Sequence, residues 1–266
     1  MSGDATAVRR SSLPAVPLTS IHKTSGATSE TALRKHARLA QLSESGLPII
    51  YIGDQPMEPA LTGMRIVQFA IKRLLDICLA GLALCVLGPF LLGITIAIRA
   101  TSKGPAVFRQ VREGRNGRHF TIYKFRTMYI DACDRSGVAQ TVTSDPRVTP
   151  LGAVLRRKNI DELPQLLNVL RGDMSLIGPR PHPVGMLAAG KLYRDLVPYY
   201  DLRLAMKPGL SGWAQVSGLR GATVNEAPAR ARIDHDVAYI QNFSVLLDLK
   251  IIARTIFQEM RRGTGD

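Results

Sequence analysis

The sequence predicts a mixed α/β (α+β) fold: a small, helix-rich cytosolic domain with one β-hairpin, attached to a re-entrant membrane helix and to interfacial amphipathic helices. Three observations support this prediction. A charge-free run of 22 residues is interrupted at Gly88-Pro89. A strongly basic segment with the pattern of a hairpin follows it. Leucines at helical spacing then follow two adjacent carboxylates, Asp161 and Glu162.

The 266-residue chain is strongly basic, with a formal net charge of +14, of which +13 lies on residues 65–266. Such a charge indicates anionic partners, namely membrane headgroups, nucleic acid or phosphorylated substrates. The chain has three cysteines, and Cys78 and Cys85 lie inside the apolar run, which argues against a disulfide framework. We therefore expect a domain that faces the reducing cytoplasm.

Residues 1–64 are rich in Ser, Thr, Ala and Pro and show no sustained apolar period. Their N-terminal part is too broken by proline and polar residues to form a signal-peptide core. A short helix over residues 30–42 is compatible with the pattern. We interpret the segment as a mostly disordered extension.

Residues 65–103 contain the apolar run Ile77–Ile98, which is long enough to cross a membrane. Proline near its middle disrupts a helix, and both flanks are basic, whereas a single crossing should carry its positive excess on one side. A helix that enters the membrane, breaks at Gly88-Pro89 and returns explains both features. A kinked spanning helix is the alternative, since membranes tolerate proline kinks.

Residues 99–126 carry eight basic residues and one acid, and they predict a hairpin. Its strands are Ala106–Val111 and His119–Met128, joined by the turn signal Asn116-Gly117. Strand alternation places Lys124 and Arg126 on one face, where they can meet acidic lipid or a diphosphate. The polar stretch from 131 to 147 is expected to be a mobile loop with solvated acids at Asp131, Asp134 and Asp145.

The acidic pair is predicted to lie in the first turn of a short helix, with Pro164 in that turn and Gly172 as its C-terminal stop. Its buried face would comprise Leu163, Leu166, Leu167 and Leu170. A preceding helix, 148–157, would deliver Arg156 to the acids. The helix N-terminus keeps carboxylates ionised and favours phosphate beside them. Asn159-x-x-Glu162 also fits a capping box that needs no chemistry.

Met174–Ile177 is predicted to be a buried strand that sets down Gly178-Pro179-Arg180-Pro181, where two prolines hold one arginine extended. Such an arginine suits phosphate or base recognition, although the same residues also make a rigid turn. His182 is expected at the surface or in a pocket wall. Trp213 is expected at a membrane interface or in the core. Residues 226–242 and 244–262 are predicted helices, and the second is too apolar for a free surface helix.

Several separated motifs resemble the bacterial sugar transferases, also called monotopic phosphoglycosyl transferases. The resemblance covers residues 65–257 and is carried by the following segments: Lys72-Arg73-x-x-Asp76, Tyr123-Lys-Phe-Arg-Thr-Met128, Asp161-Glu-Leu-Pro-Gln165, Gly172-Asp-Met-Ser-Leu-Ile-Gly-Pro-Arg-Pro181, Lys207-Pro-Gly209 and Gly212-Trp-Ala-Gln-Val216. It departs from the family at Asn159, where a small hydroxyl residue is usual, and at Arg220, which is shifted by one position.

The resemblance implies that residues 104–262 form a catalytic domain that moves a sugar-1-phosphate from a UDP-sugar to polyprenyl (undecaprenyl) phosphate and releases UMP. This would be the first membrane step of exopolysaccharide assembly, at the cytoplasmic face of the bacterial inner membrane. Asp161 would be the nucleophile of a covalent phosphosugar–aspartyl intermediate, and Glu162, together with Asp161, would hold Mg²⁺.

The same resemblance implies that a set of basic residues and one proline bind the donor, namely Lys124, Arg126, Arg156, Arg180, Pro181 and Arg220. Lys72 and Arg73 would anchor the membrane helix at headgroups, and Gly88 and Pro89 would break it. Inner-membrane lipid and the later glycosyltransferases of the pathway are the further expected partners. The choice between glucose and galactose is open, and so is the formation of a homo-oligomer.

Two other classes of protein compete with this interpretation. A membrane-tethered nucleic-acid-binding domain is disfavoured because aromatic residues make up only 6% of the chain and few lie among the basic runs. A non-catalytic membrane scaffold of a polysaccharide assembly complex has no need for adjacent carboxylates among cations. We therefore expect an enzyme, with no nucleic-acid partner.

Overall fold

The computed structural model describes residues 37–39, 46–52, 55–56, 63–132 and 145–262. These residues form a mixed helix-and-strand fold, as predicted. The helices are α1 Gly63–Thr101, α2 Pro150–Arg157, α3 Leu166–Arg171, α4 Tyr193–Leu196, α5 Trp213–Val216, α6 Glu226–Gln241 and α7 Val245–Arg262. The strands are β1 Ala37–Leu39, β2 Ile50–Ile52, β3 Gln55–Pro56, β4 Val107–Glu113, β5 His119–Phe125, β6 Ser175–Ile177, β7 Leu187–Ala188, β8 Lys191–Leu192 and β9 Gly209–Ser211.

Helix α1 runs without interruption through Pro89, and it is the one helix in the described residues that is long and apolar enough to cross a membrane. Its polar first half is tied to the folded domain. Asp76 accepts hydrogen bonds from the Ser175 hydroxyl (3.1 Å) and the Leu176 amide (2.9 Å). Its second half packs through Ile94 and Ile98 against a cluster that includes Phe125 and Leu155. Both ends of α1 therefore contact the same domain.

The predicted hairpin is present, with small differences in its ends. Strands β4 and β5 pair antiparallel from Val107↔Phe125 to Glu113↔His119. The connection is a short 3₁₀ turn in which Asn116 and Gly117 adopt positive φ of 56° and 71°. Asn and Gly tolerate that backbone best, which is why this dipeptide is a reliable turn signal.

The short helix after the acidic pair is composite, which changes its buried face. Residues Ile160–Gln165 form a 3₁₀ helix and only Leu166–Arg171 are α-helical, ending at Gly172 with φ 89°. A 3₁₀ helix has three residues per turn, so the 3.6-residue phase of the prediction drifts across the junction. Leu166 is buried as predicted, but Leu167 is 44% exposed and Val169 is buried in its place.

Strand β6, which ends just before Gly178, pairs in parallel with β9, in the register Ser175↔Gly209 and Ile177↔Ser211. The chain crosses itself closely here. A Cβ on Gly209 would lie 2.1 Å from the Gly178 amide nitrogen, so neither segment has room for a side chain at that point. This contact fixes where the Pro179-Arg180-Pro181 segment begins.

Part of the N-terminal extension differs from the expected disorder. Strands β1, β2 and β3 form a small antiparallel sheet, and Ile49 is buried against α6 residues such as Ile233 and Val237. Of the helix considered over residues 30–42, only Ala37–Leu39 is described, and it is a strand. The remaining positions of residues 1–64, apart from 46–52, 55–56 and the start of α1, lie outside the described residues.

The two C-terminal helices are present as predicted, and they complete the core. Trp213 is 4% exposed and packs with Ile240, Phe243 and Ile251, so it is a core residue rather than an interfacial one. Asp145 also differs from expectation, because it is buried and paired with Arg147 (2.6 Å). Asp131 is exposed, whereas Asp134 lies outside the described residues, as does the rest of 133–144.

Candidate active site

The acidic pair lies on the first turn of the 3₁₀ helix, directly after Asn159, which is left-handed with φ 51°. Asn159 makes no side-chain cap to this helix, and its side-chain amide instead donates to Glu259 (3.0 Å). The capping-box interpretation is therefore wrong. The backbone carbonyl of Asn159 accepts from the backbone amide of Glu162 (3.2 Å), and the backbone amide of Asn159 donates to the Arg156 carbonyl (3.0 Å). One residue thus joins the end of α2 to the turn that carries both acids.

Glu162 is a fully compensated carboxylate. Lys124 on β5 donates to its Oε1 (2.7 Å), and Arg180 donates to both of its oxygens, with an Nη1–Oε2 distance of 3.0 Å. Burial alone would raise the pKa of Glu162, but the charges and hydrogen bonds of Arg180 and Lys124 outweigh it. They hold the pKa of Glu162 well below its usual range, so this group is an anion at every physiological pH.

Asp161 differs from its neighbour because its side chain is 8% exposed yet makes no hydrogen bond or ion pair within the part of the chain that the structure describes. Burial, followed by the Glu162 charge, raises the pKa of Asp161 to about 6, although Lys124, Arg156 and Arg180 oppose the shift. The other five buried acidic side chains among the described residues, Asp76, Glu113, Asp145, Asp236 and Asp248, all have direct partners. Asp161 is thus the exception among the buried acids: it has no direct partner, and its carboxylate oxygens are not fully buried.

A shallow cleft beside the acids is lined by Arg112, Ile122, Lys124, Gln165, Arg180 and Pro181. Three of the six predicted donor-binding residues line this cleft, namely Lys124, Arg180 and Pro181. Arg156, in the last turn of α2, lies close enough to lower the pKa of Asp161, and it reaches Thr127 at 3.5 Å. Four basic side chains therefore surround two carboxylates, which leaves an excess of positive charge for an anionic ligand.

Arg112 and Gln165 are cleft residues that the sequence analysis did not identify. Arg112 donates to the Pro181 carbonyl (3.3 Å), and its buried Nε has no partner in the described residues. Burial, followed by the nearby Arg180 charge, lowers the pKa of Arg112 to about 10. The hairpin could have indicated this position, because Arg112 pairs with Phe120 and so lies on the same face as Ile122 and Lys124.

The Pro179-Arg180-Pro181 segment is held in place from behind. The buried Arg203 donates to the Arg180 carbonyl, and the Glu113 amide donates to the His182 carbonyl (3.0 Å). His182 is 2% exposed, and its Nδ1 lies 3.1 Å from the Tyr200 hydroxyl, so of the two expected positions, surface or pocket wall, the surface is wrong. Burial, with four arginines nearby, holds the pKa of His182 well below its usual value, and the ring is neutral.

Comparison with known proteins shows the family of this chain. A sequence model of the bacterial sugar transferases matches residues 67–262. The chain belongs to that family. It is 53% identical over 198 residues to the exopolysaccharide production protein PSS of Rhizobium leguminosarum bv. phaseoli, covering 74% of this chain and 99% of that protein.

Two further relatives have more specific names. The UDP-glucose:undecaprenyl-phosphate glucose-1-phosphate transferase of Caulobacter vibrioides is 49% identical over 187 residues, covering 70% of this chain and 68% of that protein. The enzyme of the same name from Escherichia coli is 42% identical over 223 residues, covering 84% of this chain. The match takes in only 45% of the Escherichia coli protein, which is much longer.

Several residues that the resemblance to the sugar transferases implied lie elsewhere than expected. Arg126 is buried and donates to the carbonyl (2.8 Å) and the hydroxyl (2.7 Å) of Ser102, after the end of α1, because β5 ends at Phe125 and strand alternation no longer applies. Arg220 bonds Glu259 (2.9 Å) rather than the cleft. Glu259 lies between Arg220 and the turn that carries the acids, since its Oε1 accepts from Arg220 and its Oε2 accepts from Asn159.

The expected headgroup anchors are also engaged inside the protein. Lys72 is 7% exposed and pairs with Asp248 of α7 (2.6 Å), so it cannot reach a headgroup. Arg73 donates to the last carbonyls of α3, those of Val169 (2.6 Å) and Leu170 (2.9 Å). Both side chains attach α1 to the sugar transferase domain. Gly88 and Pro89 lie within α1, and the helix continues through both residues, so the expected break of the helix at this point is wrong.

The carboxylates of this site suit a divalent cation of the magnesium type. Among the described residues there is no group of three or more potential His, Cys, Asp or Glu ligands. Mg²⁺ does not need one, since it commonly takes one or two carboxylates and completes its shell with water and substrate phosphates. Asp161 has uncommitted oxygens for such an ion, whereas Glu162 would share its oxygens with Lys124 and Arg180.

Proposed function

We propose that this protein transfers glucose-1-phosphate from UDP-glucose to undecaprenyl phosphate, with release of UMP. The observation that carries the proposal is the unpartnered, buried Asp161 carboxylate beside a cationic cleft, in a chain of the sugar transferase family. Glucose is favoured over galactose because relatives from several bacteria are named for UDP-glucose, among them one of which this chain covers 68%.

In the first half of the reaction, an oxygen of Asp161 attacks the β-phosphorus of the donor. A phosphorus–oxygen bond forms to the carboxylate, and the bond from that phosphorus to the bridging oxygen breaks. UMP leaves with the electron pair, and the sugar phosphate is held as an acyl phosphate. Lys124, Arg156 and Arg180 are placed to neutralise the charge on the phosphoryl oxygens.

In the second half, a phosphate oxygen of undecaprenyl phosphate attacks the same phosphorus. The acyl-phosphate bond breaks, and the Asp161 carboxylate is restored. The product is a sugar linked to the lipid through a diphosphate. Bound Mg²⁺ would supply charge neutralisation at the diphosphate, with Asp161 and Glu162 as its protein ligands.

A lipid acceptor requires that the site lie near the bilayer, and α1 and α7 supply that placement. We propose that α1 is re-entrant, because its two ends contact the same domain, whereas a straight crossing would separate them by the hydrocarbon thickness of about 30 Å. Single cysteines at Met64 and Lys103, in a chain with Cys78, Cys85 and Cys133 changed to serine, test this. Labelling of both from the cytoplasmic side alone supports re-entry, and labelling from opposite sides contradicts it.

The enzyme proposal is tested by UMP release from UDP-glucose, with detergent-purified protein, Mg²⁺ and undecaprenyl phosphate. Asp161→Asn is the inactive variant, and Asp201→Asn is the matched control, because the Asp201 side chain is 68% exposed and lies outside the cleft. Lipid-dependent UMP from the wild type and the control, but not from Asp161→Asn, supports the transferase. No UMP from UDP-glucose, UDP-galactose or their N-acetyl analogues would favour the non-catalytic scaffold.

A further inference from the structure

Glu259, near the C-terminal end of α7, reaches the turn that carries the acidic pair. Its Oε2 accepts a hydrogen bond from the Asn159 side chain (3.0 Å). Asn159 is the left-handed residue whose carbonyl accepts from the Glu162 amide and whose amide donates to the Arg156 carbonyl. Asparagine adopts this left-handed conformation more readily than most residues, and the contact with Glu259 fixes the direction of its side chain.

The position of Glu259 is itself fixed by a row of contacts along one face of α7. Glu259 Oε1 accepts from Arg220 (2.9 Å), and Arg220 Nε donates to the Gln215 carbonyl (3.2 Å). One residue earlier, the Gln258 side chain donates to the Val216 carbonyl (2.8 Å). Further along, the hydroxyls of Thr255 and Ser211 lie 2.7 Å apart. The register of α7 therefore determines where the Glu259 carboxylate lies.

The opposite face of α7 is exposed and apolar. At 100° per residue its exposed large side chains fall on one stripe, formed by Leu246, Leu249, Ile256, Phe257 and Met260. The exposed cations Lys250, Arg254 and Arg261 flank this stripe on one side. The buried Lys72–Asp248 pair also ties α7 to the apolar helix α1. An apolar stripe with flanking cations, joined to a membrane helix, suits an anionic lipid surface.

We propose that Glu259 is a positioning residue that couples the seating of α7 on the lipid surface to the orientation of the turn that carries Asp161. The coupling runs from the apolar stripe of α7 through Glu259 and Asn159 to the acid turn. It follows that Asp161 is aligned best when α7 lies on a membrane, where the lipid acceptor is found. The expected effect on kcat rests on the proposed function. The expected ordering of the turn that carries Asp161 does not.

Three single variants in lipid nanodiscs test the coupling by their kcat and KM for UDP-glucose. Glu259→Ala removes the hydrogen bond between Glu259 and Asn159, and we expect kcat to fall about tenfold with KM within about twofold, because misalignment of a reacting group affects the chemical step. Glu259→Gln keeps an acceptor oxygen and should stay within about threefold of the wild type. Gln258→Ala is the matched control: it removes one contact of α7 but keeps the direct contacts of Glu259 with Arg220 and Asn159, so it should behave like the wild type.

Hydrogen exchange of the backbone amides of residues 159–162 supplies a readout that does not need activity. We expect faster exchange there in Glu259→Ala than in the wild type or Gln258→Ala. The double variant Phe257→Ser/Met260→Ser, on the lipid-facing stripe, should also speed this exchange, and it should add nothing further in the Glu259→Ala background. Non-additivity of this kind identifies one shared route.

Wild-type kcat and unchanged exchange in Glu259→Ala would overturn the proposal. An equal loss in Gln258→Ala would also overturn it, because general loosening of α7 would then explain the effect. If the wild type itself released no UMP, the proposed function would fail, while the exchange comparison would still decide whether Glu259 orders the acid turn.

Discussion

The protein contains two buried clusters of acids and bases, and they are built differently. Behind the Pro179-Arg180-Pro181 segment, Arg203 pairs with Asp236 through two contacts of 2.9 and 3.0 Å, and Glu113 accepts from the Tyr200 hydroxyl (3.1 Å). In front of that segment, Glu162 is similarly compensated, but Asp161 is not. In the rear cluster Arg203 also donates to the backbone carbonyl of Arg180, whereas in the front cluster the Asp161 carboxylate has no direct partner among the described residues.

The comparison also separates the roles of two consecutive acids. Glu162 organises Lys124 and Arg180 around the cleft, and its charge contributes to the raised pKa of Asp161. A carboxylate with a pKa of about 6 is still ionised at neutral pH, and it is more basic than an ordinary aspartate. Adjacent residues in the sequence therefore have opposite pKa shifts, and this difference is the basis for proposing Asp161 rather than Glu162 as the nucleophile.

The largest expected effect is the loss of activity in Asp161→Asn. An amide of the same shape cannot attack phosphorus, so we expect UMP release to fall by a factor of about 10⁴ or more. Thermal unfolding at pH 7.5 should show a midpoint equal to or above that of the wild type, because the variant resembles the protonated carboxyl that burial favours. A variant that retained more than about a hundredth of the activity would contradict the assignment of Asp161 as nucleophile.

The matching change in the rear cluster should lower the stability of the protein and leave the pH dependence of its activity unchanged. Asp236→Asn leaves the buried Arg203 without its anionic partner, and breaking such a pair costs about 3–5 kcal/mol of stability. We expect a clearly lower unfolding midpoint in a thermal-shift assay, and any protein that remains folded at low temperature should keep a wild-type pH profile. An unchanged midpoint would show that the rear cluster is not a structural pair.

The pH dependence of the wild type should report Asp161. Because its folded pKa is raised from 3.8 to about 6, the reactive anion is lost as the pH falls through 6. We expect kcat/KM for UDP-glucose to fall about tenfold per pH unit below that point. The favourable contribution of the protonated carboxyl to stability follows the reverse course: it is fully present below pH 3.8 and is lost as the pH rises through 6. A pH-independent rate between pH 5 and 7 would contradict the raised pKa.

A smaller effect is expected in Glu162→Gln. The Glu162 charge raises the pKa of Asp161, so its removal should move the acid limb of the residual activity to lower pH, by about one unit. The control is Glu226→Gln, which removes an exposed carboxylate paired with Lys191 and should leave the pH profile unchanged. An acid limb that stays at the same pH or moves to higher pH would contradict the claim that the Glu162 charge raises the pKa of Asp161.

Local patterns predicted much of the fold. Asn116-Gly117 predicted the position of the hairpin turn, and Gly172 predicted the end of α3. The helices predicted over residues 226–242 and 244–262 correspond to α6 and α7. The features that the sequence did not predict depend on contacts between distant residues. Lys72 is buried because Asp248 lies opposite it, 176 positions along the chain. The environment of Asp161 likewise depends on Lys124 and Arg180, which no local pattern brings together.

The residues of the candidate site were largely predicted, but the different environments of Asp161 and Glu162 were not. The resemblance to the sugar transferases implied Asp161, Glu162, Lys124, Arg156 and Arg180, and the structure brings these residues close together. Arg126 was also predicted to bind the donor, and this is wrong because β5 ends at Phe125 and Arg126 contacts Ser102 instead. Arg112 was missed, because its place follows only from the strand register, and so was Glu259, whose place follows only from the packing of α7.

The most direct test of Asp161 as a covalent nucleophile is mass spectrometry of the protein after rapid mixing with UDP-glucose and Mg²⁺ in the absence of undecaprenyl phosphate. We predict a stoichiometric release of UMP together with a hexose phosphate adduct on the peptide that contains Asp161, which disappears when undecaprenyl phosphate is added. UMP release that occurs only when both substrates are present, with no adduct on that peptide, would contradict the two-step reaction through Asp161.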